Sequence, residues 1–191
     1  MTLLAAAVAG CSADTSDPTG GMAPPAAAPV AAAPGTTPEQ TPEQTPAATA
    51  GEFDGDAAVT AVRTYLREQA LAVNAGVADP AQVPDFTATL TPAGQRWALP
   101  LLAANLGDRM PGPYPSGVLA SRRIEDDRVE LDLCLQDRGW QVDRTTGRPV
   151  NAAHFGTARA VVLRVGDRWL VDDVAADGGG CSAADVVEER F

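Results

Sequence analysis

Apolar residues recur at steps of three and four through Val59, Val62, Leu66, Ala70 and Val73. That spacing lays them along one face of a helix. Asp54 or Asp56 is placed to cap its start, where a carboxylate also suits the positive end of the helix. Tyr65 flanks the stripe, and Asn74-Ala75-Gly76 ends it with a glycine able to take a left-handed cap. Residues 77–90 are irregular and bracketed by Pro80 and Pro84, with Phe86 and Leu90 directed to a core. Thr91-Pro92 then reads as the cap and first-turn proline of a second helix. Trp97, Leu101 and Leu102 fall on one side of it, Pro100 predicts a kink or two short helices, and Asn105-Leu106-Gly107 closes it.

From Val118 the period changes to two. Val118, Ala120 and Ile124 alternate with polar neighbours, as do Val129, Leu131, Leu133 and Leu135, with Asp126-Asp127 between them as a two-residue turn. The regular register pairs Ile124 with Val129, Arg122 with Leu131, Ala120 with Leu133 and Val118 with Leu135. Gly139 shifts the phase and reads as a bulge or bend. A turn at 143–149 uses Gly147 for positive φ. A third strand runs roughly from Phe155 to Val165, turns at Gly166-Asp167 and returns from Arg168 to Val174. This hairpin opposes Leu163 to Leu170 and Val162 to Val171. Both its faces carry apolar residues, which predicts a central position covered on both sides. Gly178-Gly179-Gly180 reads as a flexible link to Cys181, and the tail to Phe191 as a short helix or disorder. Helices before an antiparallel run of strands give an α+β class, with the N-terminal helices packed on a curved sheet of about four strands.

Composition divides the chain. Residues 12–52 are mostly Ala, Pro, Thr, Gly and Ser, with a Thr-Pro-Glu-Gln repeat at Thr37 and Thr41. Such a stretch buries too little apolar surface to offset its ordering entropy, and its prolines favour an extended linker. Residues 53–191 are the size of one domain. Of the 25 acids, seven lie within residues 1–56 with no base among them; the other 18 face all 14 arginines. The chain holds no lysine. Neither part offers the basic footprint that nucleic acid requires.

The chain begins with an apolar run, Leu3 to Val8, that leads into Ala9-Gly10-Cys11. This resembles a bacterial lipoprotein signal, which implies cleavage before Cys11, lipid on its sulfur and an extracytoplasmic domain anchored to the cell membrane. Residues 1–10 lack a positive n-region, which admits a true start upstream of Met1. Cys134 and Cys181 then remain as a pair outside the reducing cytosol, where disulfides persist; the alternative is two unpaired buried thiols. Cys134 falls on the strand face opposite Leu131 and Leu133. A bond to Cys181 therefore predicts a tail pinned across the outside of the sheet, away from the helices.

The run Cys134-x-x-Asp137-x-Gly139-Trp140-x-Val142-Asp143, then Thr146-Gly147-x-Pro149 and Gly166-Asp167-Arg168-Trp169-Leu170-Val171, resembles secreted actinobacterial lipoproteins of the nuclear-transport-factor-2-like, cystatin-like superfamily. The resemblance covers residues 53–181 and is specific over about residues 134–174. It implies a sheet wrapped round a helix with a cone-shaped cavity, and adds little on activity.

Enzymes of that superfamily work from carboxylates, tyrosines or histidines inside the cone. His154, the only histidine, reads as a surface or strand-end residue, and the Asp126-Asp127 and Asp172-Asp173 doublets as solvated turns and edges. No metal cluster, phosphate loop, serine elbow or closely spaced redox cysteine pair is present, so neither metal nor cofactor is expected. Arg122, placed by the regular register beside Leu131, is a candidate ligand for an anion in the cone, together with Trp97 and Tyr65. The alternative for Arg122 is a rim position with its head in water. The expected role is a binding or protein-interaction module at the cell envelope. Its partners are the membrane through Cys11 and another envelope protein or a small apolar or anionic ligand. The competing role is an envelope enzyme or small-molecule carrier that uses the cone. A deep pocket with convergent polar groups favours the competing role, and a cavity filled by Trp97, Phe86 and leucines favours the first.

Overall fold

Asp56 starts helix α1 (Ala57–Ala75) by accepting the backbone N–H groups of Ala58 and Val59 at 2.8 and 3.4 Å. Gly76 ends it at φ 72°, in the left-handed cap. The computed structural model describes residues 52–191; the expected signal, Cys11 and nearly all of the linker lie outside the described residues. Every member of the predicted stripe, Val59 to Val73, is buried, and Tyr65 and Gln69 are buried beside it. A 3₁₀ turn (Pro80–Gln82) and the short helix α2 (Pro84–Thr87) come next, the latter placing Phe86 in the core. Thr91 caps α3 (Pro92–Ala104) as its sequence predicts. The helix is one element rather than two, because Pro100 and Arg96 both lie on its exposed face. There the carbonyl that loses its partner turns to water. Leu101 is also exposed, unlike Leu102.

The sheet is antiparallel, in the order β2 (Ser116–Glu125), β3 (Arg128–Arg138), β5 (His154–Val165) and β6 (Arg168–Gly180). A two-stranded pair, β1 (Asp108–Arg109) with β4 (Val142–Asp143), stands apart. Val129, Leu131, Leu133, Ala160, Val162 and Val171 form the inner face, packed in one core with α1, Phe86 and Leu102. The fold class is therefore α+β, with helices on one face of an antiparallel sheet. The β5–β6 register has the expected pairs, Leu163 with Leu170 and Val162 with Val171. Its position differs from expectation: β6 is an edge strand. The segment before α3 joins that edge, with Thr91 N–H bonding to Val171 O and Val171 N–H to Thr89 O. The expected glycine link is strand as well, for Gly180 pairs with Gly156.

The β2–β3 register corrects the sequence expectation. The two-residue turn holds, with Glu125 opposite Arg128, but Ile124 and Leu119 are each extra residues in β2. Each bulge moves the pairing by one position and reverses the facing of the residues beyond it. Ser121 rather than Arg122 opposes Leu131, Arg122 opposes Glu130, and Val118 opposes Leu133. Ser121 Oγ reaches the Asp56 carboxylate at the start of α1, 3.1 Å away, and Ile124 is left exposed.

Cys134 and Cys181 form a disulfide with Cα atoms 5.9 Å apart. Cys134 is on the outer face, opposite Leu131 and Leu133, yet it is fully buried because the C-terminal segment crosses over it. A 3₁₀ turn (Ala183–Asp185), held by reciprocal hydrogen bonds between Ser182 and Asp185, leads to Val187. Val187 exchanges two backbone hydrogen bonds with Ser116, and Phe191 N–H reaches Pro111 O. The tail thus passes round the β2 edge to the helix side, where Arg67 of α1 stands 5.5 Å over the Phe191 ring. The expectation that it stays clear of the helices does not hold.

Candidate functional site

Tyr65 on α1 meets Trp97 on α3 edge to face, with ring centroids 5.9 Å apart and planes at 66°. Phe86 supports Tyr65 from behind at 5.8 Å. The Tyr65 and Trp97 rings form one wall of a cleft of about 360 Å³, which opens between the two helices and the sheet. Leu66, Leu135 and Val174 supply apolar lining, and Gln69, Tyr114 and Gln141 supply polar groups. The volume lies in the range of small-molecule sites.

The polar side chains around the cleft fall into two sets. Some are engaged: Trp97 Nε1 donates to Asp172 O at 3.0 Å, Asn105 Nδ2 to Leu101 O at 3.1 Å, and Asp137 pairs with His154 Nδ1 at 2.7 Å. Others are not. Among the described residues, the side chains of Tyr65, Gln69, Tyr114 and Gln141 have no hydrogen-bond partner. Gln141 Nε2 is itself buried and unpartnered. Burial pushes the Tyr65 hydroxyl well above the ordinary tyrosine range. Burial raises Tyr114 to about 12, and the charges of Asp108 and Asp137 add to that. Both are neutral phenols at physiological pH.

Of the residues singled out in the sequence, Tyr65 and Trp97 come together in the cleft. Arg122 does not; the Ile124 bulge leaves it on the outer face in a two-pronged bond to Asp132, at 2.5 and 2.8 Å. Arg159 approaches the same carboxylate at 3.7 Å. Arg122 is thus engaged at an exposed position outside the cleft, and the cation among the cleft's lining residues is Arg138, at its exposed mouth. His154 is exposed at the start of β5, at the strand end where its sequence position put it. Its partner Asp137 lies at the mouth of the cleft. Among the described residues, no group of three or more His, Cys, Asp or Glu side chains is placed to hold a metal ion.

Sequence reasoning missed Gln69, Tyr114 and Gln141. Gln69 did carry a signal, since it stands three residues after Leu66, on the apolar face of α1. Tyr114 and Gln141 sit among prolines and beside a bend, where no period marks their direction. A second cleft of about 430 Å³ lies beyond Leu66 and Tyr114, which line both. Val187 and Glu189 of the tail form part of its wall, and the Asp54–Arg63 pair (2.9 Å) stands at its rim.

No family model matches the chain, and no curated protein matches it. Solved structures similar to it include the following two. One is a nuclear-transport-factor-2-like protein of unknown function from Shewanella oneidensis MR-1, 12% identical with a TM-score of 0.40, over 62% of this chain and 97% of that one. The other is the intermembrane space region of the chloroplast protein ARC6, 15% identical with a TM-score of 0.41, over 65% of this chain and 98% of that one.

Proposed function

We propose that this chain is a lipid-anchored extracytoplasmic binding domain of nuclear-transport-factor-2-like type, whose cleft takes a small ligand. The observation that carries the reading is Gln141 Nε2, a buried donor with no partner, in a cleft whose Tyr65, Gln69 and Tyr114 side chains are also uncommitted. A buried polar group left unpaired costs about 1–3 kcal/mol, and a bound ligand that accepts from it offsets that cost. The cleft is not filled by the core aromatics: Phe86 is buried behind Tyr65, and Trp97 lines the wall. That favours the competing role, a small-molecule site in the cone, over a surface that only docks proteins. The extracytoplasmic location rests on the Val8-Ala9-Gly10-Cys11 signal and agrees with a disulfide, which persists outside reducing compartments. No helix among the described residues is long and apolar enough to cross a membrane. In this reading the diacylglycerol on Cys11 is the anchor.

Two measurements test the proposal. With the native signal present, Cys11→Ser should move the protein from the membrane fraction to the soluble one, and retention in the membrane would refute the anchor. The unlipidated full chain should bind the uncharged apolar dye Nile red, and Val174→Trp, which fills the cleft, should abolish that binding. Dye binding unchanged by Val174→Trp would leave an outer surface as the binding face and a protein as its partner.

A further inference from the structure

Apart from the Arg138 guanidinium at the exposed mouth, the cleft's free polar groups are uncharged: two phenol hydroxyls, Tyr65 and Tyr114, and the carboxamides of Gln69, Gln141 and the exposed Asn151. Two of these residues, Tyr65 and Gln69, are each only 3% exposed, so they do not serve the outer surface. The tyrosines remain protonated, because burial opposes their ionisation. The formal charges nearest the cleft are at its exposed mouth, on Asp137 and Arg138, and Asp137 is already paired with His154. A charged group carried inward past that mouth would lose its hydration and meet no opposite charge within, which strongly disfavours it. An uncharged group loses far less.

From this we propose that the cleft selects an uncharged ring compound that carries an amide group; the inference rests on the binding role proposed above. The amide is required by the partners available to it. Gln141 Nε2 requires an acceptor, while the Gln69 carbonyl oxygen accepts and the two hydroxyls do either. An amide supplies an acceptor and a donor on one planar group, as each glutamine side chain does. The ring is required by the walls. Tyr65 and Trp97 present ring surfaces at a steep angle, with Leu66, Leu135 and Val174 opposite an inserted apolar body.

Benzamide, benzoate and benzamidinium share one shape and differ in charge, which makes them the test. Each competes with Nile red on the unlipidated full chain, Cys11→Ser. Benzamide should displace the dye at concentrations at least about tenfold below the other two, a factor equal to about 1.4 kcal/mol. Gln141→Leu should weaken benzamide about tenfold while raising the melting temperature of the ligand-free protein, because it removes the unpaired donor. Tyr65→Phe, which keeps the ring and removes only the hydroxyl, should also weaken benzamide. Displacement by benzoate or benzamidinium at equal or lower concentration overturns the inference, as does no displacement by any of the three. Benzamide binding unchanged in both variants also overturns it. Failure of the binding role itself shows separately, as Nile red binding that Val174→Trp leaves intact.

Discussion

The carbonyl oxygen of Asp185 occupies the space that a side chain on Gly117 would need: a β-carbon there would stand 1.7 Å from it. Gly112 is in the same position under Glu189, whose carbonyl oxygen would be 2.1 Å away. These two glycines form the bed on which the tail lies, and the contacts are to backbone, which cannot swing aside. Gly117→Ala and Gly112→Ala should each lift the tail and cost about 1–3 kcal/mol. Denaturant midpoints measure this, with Gly180→Ala as the control, since nothing lies within 4 Å of a β-carbon there. A midpoint unchanged in Gly117→Ala would mean that the tail does not rest on β2 in solution.

The Cys134–Cys181 bond closes a loop of sequence separation 47 that contains β5 and β6. Loop entropy assigns such a closure on the order of 4 kcal/mol, a large share of a domain's stability. Reduction should therefore lower the melting temperature markedly. Cys134→Ala and Cys181→Ala should each match the double variant, because either removes the same bond. A double variant clearly less stable than both singles would show that the thiols contribute separately.

Tyr65 and Tyr114 are the two tyrosines of the chain, so phenolate absorbance reports on the cleft. Both folded-state pKa values are raised above the unfolded value of about 10. A raised value means that the folded state favours the protonated form. Their contribution to stability is full below pH of about 10 and is lost as pH rises toward the folded values. Phenolate absorbance should appear together with loss of the far-ultraviolet circular dichroism signal. Phenolate formation near pH 10 with that signal intact would show that the hydroxyls are open to water.

Asp132 is held below the ordinary carboxylate range, first by its hydrogen bond from Arg122. Its contribution to stability is present above about pH 3.9, the unfolded value, and is lost as pH falls toward the folded one. Arg122 is half exposed, so water screens the pair and Asp132→Asn should cost at most about 1 kcal/mol at neutral pH. The variant should also flatten the acid limb of the stability curve, and Arg122→Ala should leave Nile red binding unchanged. Loss of dye binding in Arg122→Ala would restore a ligand role for Arg122.

Local order was legible wherever a period met a defined stop. The stripe from Val59 to Val73 with Gly76 after it specifies α1, because burial of one face and a left-handed cap are properties of neighbouring residues. The β5–β6 register is set by Gly166-Asp167 for the same reason: a two-residue turn fixes which residues face each other. The cysteine pair was legible because two cysteines remained once Cys11 was assigned to lipid.

Tertiary structure decided the rest. A period of two states that β2 has two faces but not where an extra residue enters. The bulge at Ile124 disturbs only local pairing, yet it turns Arg122 outward and Ser121 toward Asp56, and the one at Leu119 returns Val118 to the inner face. The cleft draws Tyr65 and Gln69 from α1, Tyr114 from a proline-rich loop and Gln141 from beyond the Gly139 bend. No local pattern links positions that far apart. The tail's path depends on two backbones meeting at Gly112 and Gly117, and a glycine in a sequence does not name what will fill the space it leaves. Pattern along the chain therefore determined the elements and their apolar faces. Which polar groups are left without partners, and so where a ligand would bind, was decided only when the elements packed, because hydrogen-bond satisfaction is a property of the whole fold.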